Sequence, residues 1–577
     1  MTSPLRNTLV DVIIASGCED PEEAGKLAAT PGNGLTWTVH VLNSGKVDEQ
    51  KFTAELGRLF NTPVESIDIS KVDRSTLGSL PSRFVFKHQI LPMGQGEKGL
   101  RLATYDVFNS AARHLAAQLL PGKKLEWVLV PRTQLLRSIK TLYGVGAETF
   151  EEILQATGRN FEAGDERFEA MDLDADDPEA SVVKFVNQII REAISERATD
   201  IHVEPLENDL RIRYRIDGIL HEVAVPPQLR LLQSAIISRL KVMAHMDIAE
   251  KRLPQDGRIN LSRGSEANID VRVSTIPTVN GESISLRLLT RAEAQTFGFD
   301  RLDLSERQAK IVRHLLGQPN GIVLVTGPTG SGKSTSLYSF LSSINSVQRR
   351  IITIEEPVEY RLPGVSQIDV KPEIGLTFAQ GLRHILRQDP NVIMVGEIRD
   401  FETAEIAIRA AMTGHLVFST LHTNDAVGGI TRLTDMGVEP FLLASVIRAF
   451  IAQRLVRTIC PDCKKLTGYP VEYLNEIGAL VSPEFKYYKG TGCDNCRQTG
   501  YRGRAAIFEI CVLTEGMRRL IISKAPGGDL KQRATLDGME TLRQDGWRRV
   551  GLGQTTVEEV VRVTQSDEGI AELEPED

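Results

Sequence analysis

One nine-residue segment, residues 327–335, constrains the fold of this chain more than any other feature, because it fits the pattern G-x-x-x-x-G-K-[ST] in full. Such a loop works only between a strand and a helix, so that its N–H groups and the helix N-terminus point at one anion. Both neighbours are present: residues 321–326 form an apolar run, and Leu337, Leu341 and Ile344 recur at helical spacing. The pattern predicts a phosphate-binding loop made of Gly327, Pro328, Thr329, Gly330, Ser331, Gly332, Lys333, Ser334 and Thr335.

Two side chains of this loop carry its chemistry. A lysine in the position of Lys333 reaches the outer phosphates of a nucleoside triphosphate, and a hydroxyl in the position of Ser334 is a ligand for Mg²⁺. The alternative is a glycine-rich surface turn, which the flanking strand and helix patterns disfavour. We therefore expect a nucleoside triphosphate and Mg²⁺ to bind here.

From about residue 301 the pattern alternates between strand and helix. This order predicts a mostly parallel sheet covered by helices on both sides. In such sheets ligands bind outside the carboxyl ends of the strands, so polar residues at that edge carry more weight than polar residues elsewhere. The strand candidates are residues 321–326, 350–354, 391–395 and 416–420.

Acidic and histidine side chains follow three of these candidate strands. Glu355 and Glu356 follow the second, Glu397 follows the third, and His422 follows the fourth. A carboxylate there can orient or deprotonate water or hold Mg²⁺ through its waters, and a histidine can hydrogen bond to the γ-phosphate. We predict that all four residues are catalytic, and either glutamate of the pair can be the one that acts. His415, in contrast, is predicted to be a packed structural histidine.

The first half of the chain has a different pattern. Residues 1–145 mix helical and strand periodicity and predict a small α/β domain, and residues 146–180 contain an acidic stretch that predicts a linker. From residue 181 a helical stripe is followed by strands in which aliphatic residues alternate with arginines. This predicts an α+β middle domain up to residue 300, with the arginines read as a solvated sheet face on spacing alone.

Two C-x-x-C pairs, separated by 29 residues, predict a structural zinc site. The long gap predicts a hairpin or helix between the pairs. A redox pair is the alternative, but two pairs are present and the thioredoxin-like context is missing. Cys18 and Cys511 are predicted to be ordinary buried thiols. The proposed ligands are Cys460, Cys463, Cys493 and Cys496.

Composition excludes some functions. A net charge of −8 argues against a broad nucleic-acid-binding surface. No apolar run approaches the length of about 18 residues that spans a bilayer, so a membrane role is expected to go through a partner. Six cysteines in 577 residues suit a reducing compartment, and we expect a cytoplasmic protein.

Several segments together resemble the ATPases that assemble type IV pili and type II secretion systems. The resemblance implies an α/β fold with a small N-terminal α/β domain that docks onto a partner (residues 1–145), a PAS-like middle domain that supplies arginines (181–300) and a RecA-like P-loop motor (301–459). It also implies a zinc module (460–500) and a C-terminal helical region with an acidic tail (501–577). The segments that carry it are residues 327–335, 352–359, 386–390, 396–400 and 413–424.

The same resemblance assigns further residues. It implies that Arg272 and Arg287 reach the phosphates as arginine fingers, and that Arg213 and Arg454 contact the nucleotide. Glu356 stands where the family usually has aspartate, and Gly396 stands where a general Walker B motif has aspartate, as is usual in this family.

The resemblance implies a cytoplasmic, hexameric, Mg²⁺-dependent ATPase. Its expected partners are an inner-membrane platform protein and a membrane-anchored protein that docks onto residues 1–145, with no nucleic acid. Pilus assembly and type II secretion are not separated by the motifs. Two alternatives are a DNA-directed RecA-like motor and a regulatory scaffold whose N-terminal domain senses a nucleotide such as cyclic di-GMP.

Overall fold

The computed structural model describes residues 3–29, 35–144, 147, 178–263, 266–290, 297–479 and 485–564. Most of the predicted acidic linker and the acidic tail lie outside the described residues. The chain divides into two compact units. The first comprises Met1–Leu261 with Asp270–Leu288, and the second comprises Ser262–Ile269 with Leu289–Asp577.

The first unit begins with a helical group and a small sheet. In the sheet, β2 pairs antiparallel with β1 and parallel with β3. Helical periodicity buries Trp37, Phe52 and Leu56 in one apolar cluster. The elements are α1 (Ser3–Ala15), α2 (Pro21–Leu27), α3 (Trp37–Asn43), α4 (Glu49–Leu59), α5 (Ser82–His88), β1 (Leu91–Gln95), β2 (Leu100–Thr104), α6 (Ser110–Leu119), β3 (Leu125–Leu129) and α7 (Arg132–Tyr143).

The rest of the first unit is built on a six-stranded sheet in the order β6-β5-β4-β9-β8-β7. Period-two alternation fixes its faces: in β5, Leu210, Ile212 and Tyr214 are buried, while the arginines between them lie on the other face. The elements are α8 (Pro178–Ser195), β4 (Asp200–Pro205), β5 (Leu210–Ile216), β6 (Ile219–Val223), α9 (Gln233–Met243), β7 (Gln255–Arg263), β8 (Glu266–Thr278) and β9 (Gly281–Thr290).

The second unit contains a seven-stranded sheet in the order β12-β11-β13-β14-β10-β15-β18. Its first six strands pair in parallel. The elements up to the last parallel strand are α10 (Glu306–Leu316), β10 (Gly321–Thr326), α11 (Lys333–Ile344), β11 (Ile351–Glu355), β12 (Ser366–Asp369), α12 (Phe378–Ile385), β13 (Val392–Val395), α13 (Phe401–Met412), β14 (Leu416–Leu421), α14 (Gly428–Asp435), α15 (Pro440–Val446) and β15 (Ile447–Ile459).

Both faces of this sheet are covered, as the continuous apolar strands predict. Ile322 and Leu324 of β10 pack into one apolar cluster, and Val323 and Val325 pack into another on the opposite face. The predicted α/β class, with its parallel P-loop sheet, is confirmed.

The segment after residue 500, predicted to be helical, begins instead with a strand. Residues Tyr501–Val512 form β18, which extends the sheet antiparallel to β15 and places Ile507 and Ile510 in the core. Pairing with the exposed edge of β15 supplies the backbone partners that an edge strand lacks. Helices follow, as expected: α17 (Glu515–Ile522), α18 (Gly527–Leu536), α19 (Leu542–Gly551) and α20 (Val557–Val563).

The two cysteine pairs enclose a small module. Its strands β16 (Lys464–Thr467) and β17 (Tyr487–Gly490) pair antiparallel, and α16 (Val471–Glu476) lies between them in sequence. The predicted hairpin or helix between the pairs is thus confirmed. Among the residues that the structure describes, no helix is both long and apolar enough to cross a membrane.

Candidate nucleotide and metal sites

The phosphate loop joins the end of β10 to the start of α11, as the pattern predicts. Gly327, Gly330 and Gly332 all have positive φ angles, which glycine adopts without a steric penalty. Two of them also lie against β15: a Cβ atom would lie 2.6 Å from the Gln453 carbonyl oxygen at Gly327, and 2.7 Å from Gln453 Nε2 at Gly332. The close approach of Gln453 therefore explains why the loop needs glycine at these positions.

Lys333 closes the loop on itself. Its Nζ donates hydrogen bonds to the carbonyl oxygens of Gly327 (2.8 Å) and Pro328 (3.1 Å). Burial lowers its pKa from 10.5 to about 8, while the nearby Glu397 carboxylate opposes that shift. Ser334, the next residue, is exposed at the helix N-terminus. The loop thus presents a hydroxyl and a cation at the N-terminus of α11, a set of groups suited to a phosphate with Mg²⁺.

Four charged or titratable side chains lie in a row at the carboxyl ends of β11, β13 and β14. Arg399 Nη1 contacts Glu356 Oε2 at 2.7 Å, and Arg399 Nη2 contacts Glu397 Oε1. His422 Nε2 lies 3.1 Å from Glu397 Oε2. Hydrogen bonding to Glu397 raises the pKa of Arg399. The structure therefore brings together three of the predicted residues, Glu356, Glu397 and His422, and adds Arg399 as their bridge.

Glu355 lies apart from this row, although it is the neighbour of Glu356. Its side chain is buried and accepts hydrogen bonds from the Thr353 hydroxyl (2.6 Å), from Gln367 Nε2 (3.1 Å) and from the Tyr338 hydroxyl on α11. Burial raises the pKa of Glu355. Of the two glutamates, Glu356 points toward the row and Glu355 points into the protein.

Gly396 packs against the neighbouring strand. Its N–H donates to the Ile354 carbonyl at 2.7 Å, and a Cβ atom there would lie 3.3 Å from that oxygen and from Glu355 Cα. An aspartate at this position would therefore crowd β11. This contact gives a physical reason for the glycine that replaces the usual Walker B aspartate.

Two other predicted residues have different surroundings. His415 Nδ1 lies 2.9 Å from the Ala410 carbonyl at the end of α13, in keeping with a packed structural histidine. Arg454 donates to the Asn424 carbonyl (2.9 Å) and to its Oδ1 (3.1 Å), and burial lowers the pKa of this arginine. Arg454 thus stabilises the loop that follows His422.

The three predicted arginines of the first unit lie on strands of the same six-stranded sheet. Arg213 is on β5, Arg272 on β8 and Arg287 on β9. Within that unit, Arg213 contacts Glu204 at 2.5 Å and Arg287 Nε contacts Asp200 at 3.2 Å. Their action on phosphate stays a prediction.

The four cysteines converge, as their spacing predicts. Their sulfur atoms all lie within 4.8 Å of one another, and the Cys460–Cys493 and Cys463–Cys496 pairs are each 3.7 Å apart. A tetrahedron with zinc–sulfur bonds of about 2.3 Å has sulfur–sulfur edges of about 3.8 Å. The four thiols therefore fit Zn²⁺. Cys18 and Cys511 are buried, as expected.

Sequence analysis missed Arg399 and Tyr338 as contributors to this site, whereas the family resemblance implies that Gln453, like Arg454, lies close to the nucleotide. Arg399 stands two residues after Glu397, so a cation within an acidic edge was the available signal. Tyr338 is hidden in the apolar stripe of α11, and only its hydroxyl distinguishes it from a core residue. Gln453 comes from a strand about 120 residues after the loop, and no local pattern joins the two.

Comparisons with known proteins agree with this geometry. A family model described as Type II/IV secretion system protein matches residues 175–562, and a MshEN domain model matches residues 60–149. The chain is 42% identical over 545 residues to the type IV pilus assembly ATPase PilB of Myxococcus xanthus, covering 93% of this chain and 94% of that protein.

Two further relatives carry type II secretion names. The chain is 51% identical over 395 residues to type II secretion system protein E of Aeromonas hydrophila, covering 68% of this chain and 78% of that protein. It is 48% identical over 398 residues to type II secretion system ATPase E of Vibrio cholerae, covering 68% and 77%. The chain therefore belongs to the type II/IV secretion system protein family.

Proposed function

We propose that this chain is a Mg²⁺-dependent ATPase that works as a hexameric ring and powers the assembly of a type IV pilus or a type II secretion pseudopilus. One observation carries the proposal: the phosphate loop at the end of β10 lies in the same sheet edge as the row Glu356, Arg399, Glu397 and His422. Relatives named as pilus-assembly and type II secretion ATPases support it.

Nucleotide binding uses the loop. Lys333 exchanges its two carbonyl partners, Gly327 and Pro328, for the outer phosphates, while the loop amides bind the inner ones. The exposed Ser334 hydroxyl is a ligand for Mg²⁺, which when bound neutralises charge on the phosphates.

Hydrolysis uses the row. Arg399 and His422 hold the two oxygens of Glu397, so the carboxylate has a fixed direction. Each carboxylate oxygen keeps a second lone pair, with which Glu397 orients the attacking water. Glu356 assists from the other side of Arg399. In this proposal Glu355 acts through packing.

Further contacts complete the motor. Arg272 and Arg287 stabilise the charge that develops on the transferred phosphoryl group, and Arg213 and Arg454 contact the nucleotide. The four cysteines hold Zn²⁺. Residues 1–145 dock onto a membrane-anchored protein, and an inner-membrane platform protein receives the movement on the cytoplasmic side.

Phosphate release from Mg²⁺-ATP by the purified chain tests the proposal. Lys333→Ala is expected to reduce turnover by at least about 100-fold, because the loop then lacks its cation. Arg409→Ala removes an exposed α13 side chain that pairs with Glu405 and serves as the matched control. Undiminished turnover in Lys333→Ala would contradict the proposal, and stimulation by DNA would favour a DNA-directed motor instead.

A further inference from the structure

Strand β4 carries a pattern that the proposed function leaves unused. Asp200, His202 and Glu204 alternate with Ile201 and Val203, and the two aliphatic residues are buried. All three polar side chains therefore lie on one face. In the sheet β4 lies between β5, which carries Arg211, Arg213 and Arg215, and β9, which carries Arg287. The carboxylates of β4 therefore have arginine donors on both neighbouring strands.

Asp200 faces an arginine on each side. It is the direct cross-strand partner of Arg215 on β5 and of Arg287 on β9. Its Oδ1 accepts a hydrogen bond from Arg287 Nε at 3.2 Å, and its Oδ2 lies 3.3 Å from Arg215 Nε. The Asp200 side chain is only 11% exposed, whereas that of Arg287 is 53% exposed. A buried, fixed carboxylate therefore holds the base of an arginine whose end reaches solvent.

The guanidinium edge that Asp200 binds determines which N–H donors of Arg287 remain for another ligand. A guanidinium has five N–H donors, and the hydrogen bond to Asp200 takes only Nε–H. The four Nη–H donors form the fork that matches phosphate oxygens. Arg213 is held differently, because Glu204 Oε1 contacts its Nη2 at 2.5 Å. Hydrogen bonds from Arg213 and Arg211 outweigh the effect of burial and lower the pKa of Glu204.

We propose that Asp200 is a positioning residue for Arg287: it holds the guanidinium by Nε–H and leaves the Nη fork for the phosphates of ATP. The inference rests on the proposed function, in which Arg287 stabilises the phosphoryl group during transfer. A long arginine side chain samples many rotamers, and a fixed acceptor at its base restricts them before the nucleotide arrives. Misplacement of such a group by about 1 Å can reduce the rate about 100-fold.

The test is a double-mutant cycle on the full chain. Arg287→Ala, Asp200→Ala and the double variant are compared for kcat, KM and ATP affinity. Asp200→Ala is expected to reduce kcat about 10- to 100-fold with less than about a twofold change in ATP affinity. The double variant is expected to be no slower than Arg287→Ala alone, because Asp200 acts through that arginine.

Two further variants control for folding. Asp200→Asn keeps an acceptor oxygen for Arg287 Nε and is expected to recover part of the lost kcat. Glu65→Gln removes a carboxylate that pairs with Arg101, an ion pair of the same kind elsewhere in the first unit, and is expected to leave kcat unchanged. Thermal unfolding is measured for every variant.

Three results would overturn the inference. The first is a multiplicative loss in the double variant, which means that the two side chains act independently. The second is a faster kcat in Asp200→Ala, which means that the carboxylate restrains Arg287. The third is a wild-type rate for Arg287→Ala while Lys333→Ala is inactive, which removes Arg287 from the mechanism. Failure of the proposed function itself is distinguishable, since Lys333→Ala would then be fully active.

Discussion

The two adjacent glutamates, Glu355 and Glu356, are expected to respond to substitution in opposite ways. Glu356 belongs to the row that it forms with Arg399, Glu397 and His422. Glu356→Gln is therefore expected to reduce kcat by about 100- to 1,000-fold and to leave the free energy of unfolding unchanged. Glu355 is buried among three donors. Glu355→Gln keeps the shape and one acceptor oxygen, and the hydroxyl partners can rotate to accept from the new amide.

The loss of stability expected on substitution of Glu355 follows from those contacts. Glu355→Ala leaves the donors of Tyr338, Thr353 and Gln367 without their acceptor. Each buried donor costs about 1–3 kcal/mol when unsatisfied, so for three donors we expect a loss of about 3–9 kcal/mol in the free energy of unfolding. That is a large part of the total stability of about 5–15 kcal/mol that is usual for a domain. Glu355→Gln is expected to lose less than about 2 kcal/mol and to keep kcat within about threefold.

Denaturant melts and phosphate-release assays on the same preparations measure both quantities. Glu405→Gln, at a partly exposed position on α13, is the matched control for loss of a carboxylate. An inactive Glu355→Gln with unchanged stability would refute the assignment, because Glu355 would then act on water or metal. Full activity of Glu356→Gln would refute it equally.

Three further outcomes are expected. The pKa of Lys333 is about 8 in the free chain and the phosphates of ATP raise it, so ATP binding should take up about half a proton at pH 8. Above pH 8 the affinity for ATP should fall, toward tenfold for each pH unit. Calorimetry in buffers of different ionisation enthalpy measures the proton uptake, and an absence of uptake between pH 8 and 9 would contradict this prediction. Cys460→Ser should lose the one zinc per chain that a thiol-reactive release assay detects, while Cys18→Ser keeps it; equal zinc in both would exclude the site. Although burial opposes the shift, hydrogen bonds from Arg562 and Arg457 lower the pKa of Glu559 from 4.5 to about 2, so the stability that the Glu559 carboxylate contributes is present above pH 4.5 and is lost as the pH falls toward 2. Glu559→Gln should therefore cost about 1–3 kcal/mol in the free energy of unfolding at pH 7. In denaturant melts the stability difference between wild type and variant should narrow below pH 4, whereas a difference that stays constant with pH would contradict the lowered pKa.

Local patterns predicted the elements that hold the site. The apolar run before the phosphate loop is β10 with the expected bounds, and the alternating run of residues 210–216 is β5. Such patterns succeed because strand and helix periods are visible within one segment. The four cysteines were equally accessible, since ligand spacing for zinc is local within each pair.

Features that depend on packing between distant segments could not be predicted in this way. The buried position of Glu355 is set by Tyr338 on one helix and Gln367 on the next strand, and neither is adjacent in sequence. The resemblance implies a helical region from residue 501, whereas residues 501–512 form β18, because this strand depends on pairing with the edge of β15. Arg399 reaches Glu356 only because β11 and β13 pair side by side in the sheet, and the sequence alone does not show that pairing.

Single-turnover measurement with Mg²⁺-ATP tests the central claim most directly, because it separates binding from cleavage. Glu397→Gln keeps the loop and Lys333 intact, so it is expected to bind ATP with wild-type affinity and to cleave it at least about 100-fold more slowly. The wild-type chain is expected to bind ATP and to cleave the bound nucleotide in this experiment. Cleavage by Glu397→Gln at the wild-type rate, or no binding of ATP by the wild-type chain, would contradict the account.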